Sequence, residues 1–360
     1  MNNIKQIIIA VILLSLFGLL MIYSSSYVWA NYKFNNPYKY VANQSLFVVL
    51  GFILLIVTSK INYKIYKQKA NAILAVCFLL LVLVLIPGIG VVRNGSRSWF
   101  GIGGFGFQPS EICKIALTIF VSKFLANNNS IRKNVNKFIL PILGIILLFF
   151  FLIMLEPDFG SGMVITVSLV CLIFVSGTKI GFFIKLGLLG ILGIVLLIIA
   201  APYRIARIVS FLNPWSDPLG SGFQIIQSLY AIGPGGLLGL GLFNSRQKHF
   251  YLPEPQTDFI FAIICEELGI IGALIIVILF SIIIINGIKI AINTNDLFGK
   301  YLCFGLIFTL AFQSILNLSV VVGLVPVTGV TLPFISYGGS SLLISMTSIG
   351  IIKNIYHENS

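Results

Sequence analysis

The sequence predicts an all-α integral membrane protein of about ten transmembrane helices, and three observations carry that prediction. Of its 360 residues, 58% are hydrophobic and only 9% charged, with a mean hydropathy of +1.06. A globular surface needs roughly 25% charged residues to stay solvated. Apolar runs of about 17 residues or more recur from end to end, each long enough to cross a hydrocarbon core of roughly 30 Å as a helix. These runs do not alternate polar with apolar residues as barrel strands would.

Taken in order, the runs place spans near 6–26, 41–58, 71–89, 109–126, 137–155, 161–178, 180–201, 257–285, 301–323 and 336–352. The first is about 20 residues long and is followed by others of the same kind, so it reads as a retained helix and not as a cleaved signal peptide. An even number of spans puts both ends on one side. Placement of Lys and Arg chooses the side. Lys5, Lys60, Lys64, Lys67, Lys69, Lys123, Arg132, Lys133, Lys137, Lys179, Lys185, Lys289, Lys300 and Lys353 share the face of the N-terminus. The opposite loops hold only Lys33, Lys39, Arg93, Arg97, Arg204, Arg207, Arg246 and Lys248. Both termini are therefore expected to be cytoplasmic.

Residues 1–360 read as a single polytopic membrane domain, with short basic cytoplasmic loops and no room there for an enzyme domain. One long extracytoplasmic loop, 202–256, joins spans seven and eight, and loops of that size commonly carry function. Its apolar stretch from Ile225 to Phe243 is broken by Gly233, Pro234, Gly235, Gly236, Gly239 and Gly241. A segment so apolar and so interrupted is expected to be re-entrant or to lie on the outer surface.

The net charge of +13 is spread over many short loops, so topology and not nucleic-acid binding accounts for it. The acids lean the other way: Glu111, Glu156, Asp158, Asp217, Glu254, Asp258, Glu266 and Glu267 all fall toward the outer side. Cys77, Cys113, Cys171, Cys265 and Cys303 lie singly within spans and read as small buried apolar residues. His249 and His357 are too few and too far apart for a histidine metal site or a Ser-His-Asp triad. Acid–base chemistry is left to carboxylates.

Four segments could hold that chemistry. In Leu252-Pro253-Glu254-Pro255-Gln256-Thr257-Asp258-Phe259, Asp258 could simply mark the first turn of span eight, with Thr257 as its N-cap. Alternatively the rigid Pro-Glu-Pro lead-in sets a carboxylate at the outer interface, where it takes a proton from a substrate hydroxyl. Glu266 and Glu267, roughly 12 to 13 Å deeper on a helix, need partners, protonation or a watery cavity. Gln108-Pro109-Ser110-Glu111-Ile112-Cys113-Lys114 opens span four, with Glu111 and Lys114 on one face. That pair either neutralises itself or leaves Lys114 to bind an anion or a carboxylate from span eight. Arg93, Arg97 and Trp99 sit in a Gly-rich outer loop and are either interface anchors or ligand contacts. With Arg204, Arg207, Arg246 and Lys248 they run against the positive-inside bias, which an anionic lipid headgroup such as a pyrophosphate would explain.

The ordered runs Gln108-Pro109-Ser110-Glu111, Glu156-Pro157-Asp158-Phe159-Gly160, Leu252 to Phe261, Glu266-Glu267-Leu268-Gly269 and Leu332 to Ser341 resemble the SEDS family (shape, elongation, division, sporulation) over nearly the whole chain. Ser245-Arg246-Gln247-Lys248 and the Pro253 to Asp258 run are most similar to the FtsW and SpoVE branch, with RodA more distant. The resemblance implies a peptidoglycan glycosyltransferase of the bacterial cytoplasmic (inner) membrane that polymerises lipid II into the nascent glycan strand. It implies a class B penicillin-binding protein as transpeptidase partner, alongside other divisome, elongasome or spore-cortex proteins.

The family's proposed catalytic Asp falls on Asp258, its functional Trp on Trp99, and its Gln-Pro-Ser-Glu motif and following Lys on Glu111 and Lys114. Arg93, Arg97, Asp158, Arg204, Arg207, Arg246, Lys248 and Glu254 complete the expected substrate-binding set. Stimulation by a divalent cation, Mg²⁺ or Mn²⁺, is implied, with no metal ligands assigned and no organic cofactor. Gln256 stands where many members carry His. A lipid II flippase and a non-catalytic scaffold for the penicillin-binding protein are the other readings.

Overall fold

The computed structural model describes residues 2–359 apart from 94, 103, 104, 129–134, 200–204, 206–208 and 210. Helices dominate: α1 (Asn3–Phe34), α2 (Lys39–Lys60), α3 (Lys64–Leu85), α4 (Pro109–Asn127), α5 (Val135–Leu155), α6 (Phe159–Val175) and α7 (Ile180–Ile199) precede the long loop. The loop contains a short helix, α8 (Phe223–Ile232), and is followed by α9 (Ile260–Asn293), α10 (Leu297–Val321) and α11 (Gly339–Glu358). One addition to the helical reading is a three-stranded antiparallel sheet of β1 (Val91–Arg93), β2 (Ser96–Ile102) and β3 (Phe105–Phe107). It fills the connection between α3 and α4, where the sequence suggested only a Gly-rich loop.

Among the described residues five helices, α1, α2, α3, α9 and α10, are long and apolar enough to cross a membrane. α7 shows why the rest of the bundle also needs lipid: Ile184, Leu188 and Leu192 are each more than half exposed along one helix. Soluble monomers rarely present such a face to water. Several helices overrun the apolar stretches that predict them. α1, for example, continues to Phe34 through Ser24–Ser26 and a Tyr- and Trp-bearing turn, because hydropathy marks the hydrocarbon zone and not the end of the helix.

Among the described residues the interior forms two large apolar cores and a small third one around Val164, Leu316 and Val330. One gathers α1, α2, α9, α10 and α11 around residues such as Leu14, Ile263, Leu306 and Met346. The other gathers α3 to α6 around Leu81, Leu117, Ile146 and Leu169. Close approach depends on small residues: a Cβ at Gly350 of α11 would stand 2.6 Å from the Leu55 carbonyl oxygen of α2.

α9 is broken at Gly269, where φ is 63° and ψ is −158°, a conformation suited to glycine. The freed backbone groups are taken up by the long loop. Leu240 N and Gly241 N donate to the carbonyls of Glu266 and Glu267 at 2.9 and 3.0 Å, and Ile270 N and Ile271 N donate to those of Gly236 and Leu237 at 3.0 and 3.3 Å. Such a break survives at membrane depth only when its polar groups are satisfied this way. The 236–241 strip is therefore stitched into α9 some nine residues beyond its start, roughly 13 Å along the axis.

Candidate active site

Asp258 lies just before α9 and is half-buried. The expectation that Thr257 caps this helix is corrected: α9 starts at Ile260, with Phe259 in the cap position and no side-chain cap bond. The physical reason is local. Thr257 is drawn back into the Pro253–Pro255 turn, its N–H donating to the Glu254 carbonyl at 3.1 Å, and Glu254 adopts a positive φ of 43°. The Thr257 hydroxyl lies 2.7 Å from both the Glu254 carbonyl and Asp258 Oδ1. Its single proton can go to only one of them, so it supports the carboxylate when it turns that way.

The segment 325–338 is the hub of this end of the bundle. Tyr337 N donates to the Gln256 carbonyl at 2.8 Å. Gln44 of α2 holds Ser336 O and Gly338 N at 3.2 and 3.3 Å. From α10, Gln313 Nε2 donates to Thr331 O at 2.9 Å, and Asn317 Nδ2 donates to Val330 O at 2.7 Å and to Asp258 O at 2.8 Å. Sequence reading missed these three amides. The available signal was a pair four residues apart, Gln313 and Asn317, inside an otherwise apolar span.

Glu111 and Lys114 form a buried salt bridge of 2.7 Å on α4. Lys114 Nζ also donates to Gln313 Oε1 at 2.8 Å, so Gln313, and not a carboxylate from α9, is its second partner. The two residues line a small cavity with Thr309, Gln313, Ser345 and Ser348. Their charges neutralise one another, which is the self-contained alternative and not the anion-binding one.

Trp99 and Arg93 are brought together by the β-hairpin: the guanidinium stands 5.1 Å over the indole, with Arg93 exposed and Trp99 half-buried. Arg97 reaches back to the Leu85 carbonyl at 3.5 Å. Ser96 and Ser98 donate to the backbone carbonyl of Glu156, which clamps the hairpin to the turn between α5 and α6. The Glu156 carboxyl is fully buried, with the Ser98 side chain as a polar neighbour. Burial first, then the neighbouring Asp158 charge, push it up to about 8.

Asp158, expected to bind substrate, is half-buried and bonded within the fold. It caps α6 through Ser161 N at 3.1 Å and accepts from Gln108 Nε2 at 2.8 Å and Ser110 Oγ at 3.2 Å. Lys248 is likewise bonded within the fold. It is buried, 2.9 Å from Glu267 and 4.9 Å from the Tyr27 ring, because the irregular 243–248 segment folds over the two α9 acids. Glu267 also accepts from Ser24 Oγ, Phe243 N and Ser245 N. Glu266 accepts from Ser245 Oγ at 2.5 Å and Arg246 N at 2.8 Å. The Arg246 backbone is thereby fixed while its side chain stays exposed, as does Glu254. Arg204 and Arg207 lie outside the described residues.

Among the described residues no three His, Cys, Asp or Glu side chains converge as a cation site.

Comparison with known proteins decides the lineage. The family described as cell cycle proteins, grouping FtsW, RodA and SpoVE, matches residues 5–360. The chain belongs to this family. The FtsW/RodA/SpoVE relatives include stage V sporulation protein E of Bacillus subtilis, 51% identical over 352 residues, which span 97% of this chain and 95% of that one. A probable peptidoglycan glycosyltransferase FtsW of Coxiella burnetii is 42% identical over 356 residues, 98% and 95% of the two chains. Among solved structures, a chain of a peptidoglycan synthase complex, solved for the structural coordination of polymerization and crosslinking, superposes with a TM-score of 0.77. It is 29% identical and the match covers 98% of this chain and 97% of that one. The rod shape determining protein RodA of Thermus thermophilus gives 0.72 at 25% identity over 98% and 96%. The fold is thus that of multi-pass membrane proteins of the FtsW/RodA/SpoVE family.

Proposed function

We propose that the protein is a peptidoglycan glycosyltransferase that polymerises lipid II at the outer face of the bacterial cytoplasmic membrane, with both termini inside and about ten spans. The observation that carries the reading is Asp258, a half-buried carboxylate whose backbone is pinned to Asn317 at the end of the bundle where the exposed Arg93 and Arg246 also lie. The names of the B. subtilis and C. burnetii relatives support it.

In the proposed reaction Asp258 accepts the proton of the acceptor sugar's 4-hydroxyl. The oxygen attacks the anomeric carbon of the growing strand, and the bond from that carbon to the undecaprenyl pyrophosphate breaks. Attack opposite the leaving group inverts the anomeric centre. The pyrophosphate departs with both electrons of that bond, and in this reading Arg246, Arg93 and Arg97 supply the positive charge that stabilises it. Lys114 and Lys248 are not assigned to it, since each is buried against a carboxylate. The same closed pairs argue against a flippase path through Glu111, Lys114, Glu266 and Glu267.

The partner reading is a class B penicillin-binding protein; the complex that contains the structural relative supports an assembly of that kind. Service in division, elongation or sporulation follows from which partner is bound. Incubation of the purified protein and its partner with lipid II tests the proposal: glycan strands are expected, and their absence alongside lipid II movement between leaflets would overturn it.

A further inference from the structure

We propose that Asn317 is a positioning residue for glycosyl transfer, holding the backbone of Asp258 against the 325–338 hub and so fixing where the carboxylate stands. The inference rests on the assignment of Asp258 as the base.

Asn317 is buried on α10, at 1% exposure, one turn after the buried Gln313 and Ser314. A buried amide is costly where its polar groups are left unbonded. Both protons of its NH₂ are used, one on Asp258 O at 2.8 Å and one on Val330 O at 2.7 Å, while its Oδ1 has no partner among the described residues. The first turn of α9 closes from Ala262 N onto the Phe259 carbonyl at 2.9 Å, one residue beyond Asp258. The helix thus begins after Asp258, and the Asn317 side chain holds the peptide that follows the carboxylate.

One turn earlier on the same helix, Gln313 holds the adjacent carbonyl of Thr331 at 2.9 Å while accepting from Lys114 at 2.8 Å. Successive carbonyls, Val330 and Thr331, are therefore gripped by amides four residues apart. The ladder runs from the Glu111–Lys114 pair through Gln313, the hub backbone and Asn317 to Asp258. Every step is a backbone or side-chain bond, so α4, α10 and the hub act together with the Pro253–Pro255 turn in setting the position of Asp258. Proton transfer needs the base placed to within a fraction of an ångström, and a misplacement of about 1 Å can cost 100-fold in rate.

The test uses the full-length protein with its partner. Asn317→Leu keeps the volume and removes both donors; lipid II polymerisation is expected to lose about 10- to 100-fold in kcat with KM for lipid II and partner binding within about twofold of wild type. A kcat equal to wild type while Asp258→Asn is inactive overturns the positioning role alone. Full activity of Asp258→Asn overturns the base assignment on which the inference stands. Asn317→Gln, which keeps both donors on a longer arm, is expected to outperform the isosteric Asn317→Asp, which has none. Equal rates for those two overturn the inference even where the Leu variant does not fold.

Discussion

Lys248 Nζ lies 2.9 Å from Oε1 of Glu267, with both side chains shut off from solvent. A cation that charge placement assigns to ligand binding is thus a structural rivet between the long loop and α9, tied further to α1 through Ser24 and Tyr27. Removing one member of a buried pair leaves the other uncompensated, at about 3 to 5 kcal/mol. Lys248→Met is expected to lower the melting temperature of the detergent-solubilised protein markedly, and the added change Glu267→Gln to restore part of it. An unchanged melting temperature in the single variant would return Lys248 to the pool of ligand-binding cations.

Arg246 has the opposite character, a backbone fixed by Glu266 at 2.8 Å under an exposed guanidinium. Arg246→Ala is expected to raise KM for lipid II about threefold to tenfold, the worth of one partly screened charge-assisted contact. Melting temperature should not move. Initial rates across lipid II concentrations at two ionic strengths check this, since the wild-type advantage should shrink as salt rises.

Glu156 makes a prediction about pH. Its carboxyl is raised from the usual 4.5 to about 8, so between those values the folded protein holds a proton that the unfolded chain has released. Folded stability from this group is complete below about pH 4.5 and declines as pH rises toward about 8, where the loss levels off. Glu156→Gln mimics the protonated form and should flatten that slope. Melting temperatures at pH 5 and pH 8 measure it: the wild type should lose more than the variant between them, and equal losses would refute the assignment.

Gly269 should be irreplaceable by an L-residue. A Cβ there would stand 2.5 Å from the Leu237 carbonyl oxygen, in addition to the strain of φ 63°. Gly269→Ala is expected to unstitch residues 236–241 from α9 and destabilise the protein by about 1 to 3 kcal/mol. Limited proteolysis within the loop should quicken several-fold relative to wild type.

The sequence made some of this legible and hid the rest for physical reasons. Apolar run length exposes helices such as α1 and α10, because the bilayer constrains length and composition directly. Asp258 stands out because two prolines and a Thr-Asp step interrupt an apolar pattern. The partners that hold it do not. Asn317 and Gln313 act on carbonyls of Asp258, Val330 and Thr331, and a backbone carbonyl leaves no mark in a sequence. The β-hairpin was missed because its strands are short and glycine-rich, and its pairing of Trp99 with Arg93 depends on register. The break at Gly269 was missed because the apolar run continues across it and glycine is common in spans. The burial of Lys248 was hidden because counting charges per loop assigns a side, not a depth, and the bonds of Asp158 because a carboxylate at a helix start serves a cap as readily as a ligand.

The central claim is that Asp258 is the base of lipid II polymerisation. It is tested most directly by comparing purified wild type with Asp258→Asn, each bound to its penicillin-binding partner carrying an inactivated transpeptidase site, and resolving the glycan products by length. The account predicts strands from wild type and none from the folded, partner-bound variant; strands of equal yield from both would contradict it.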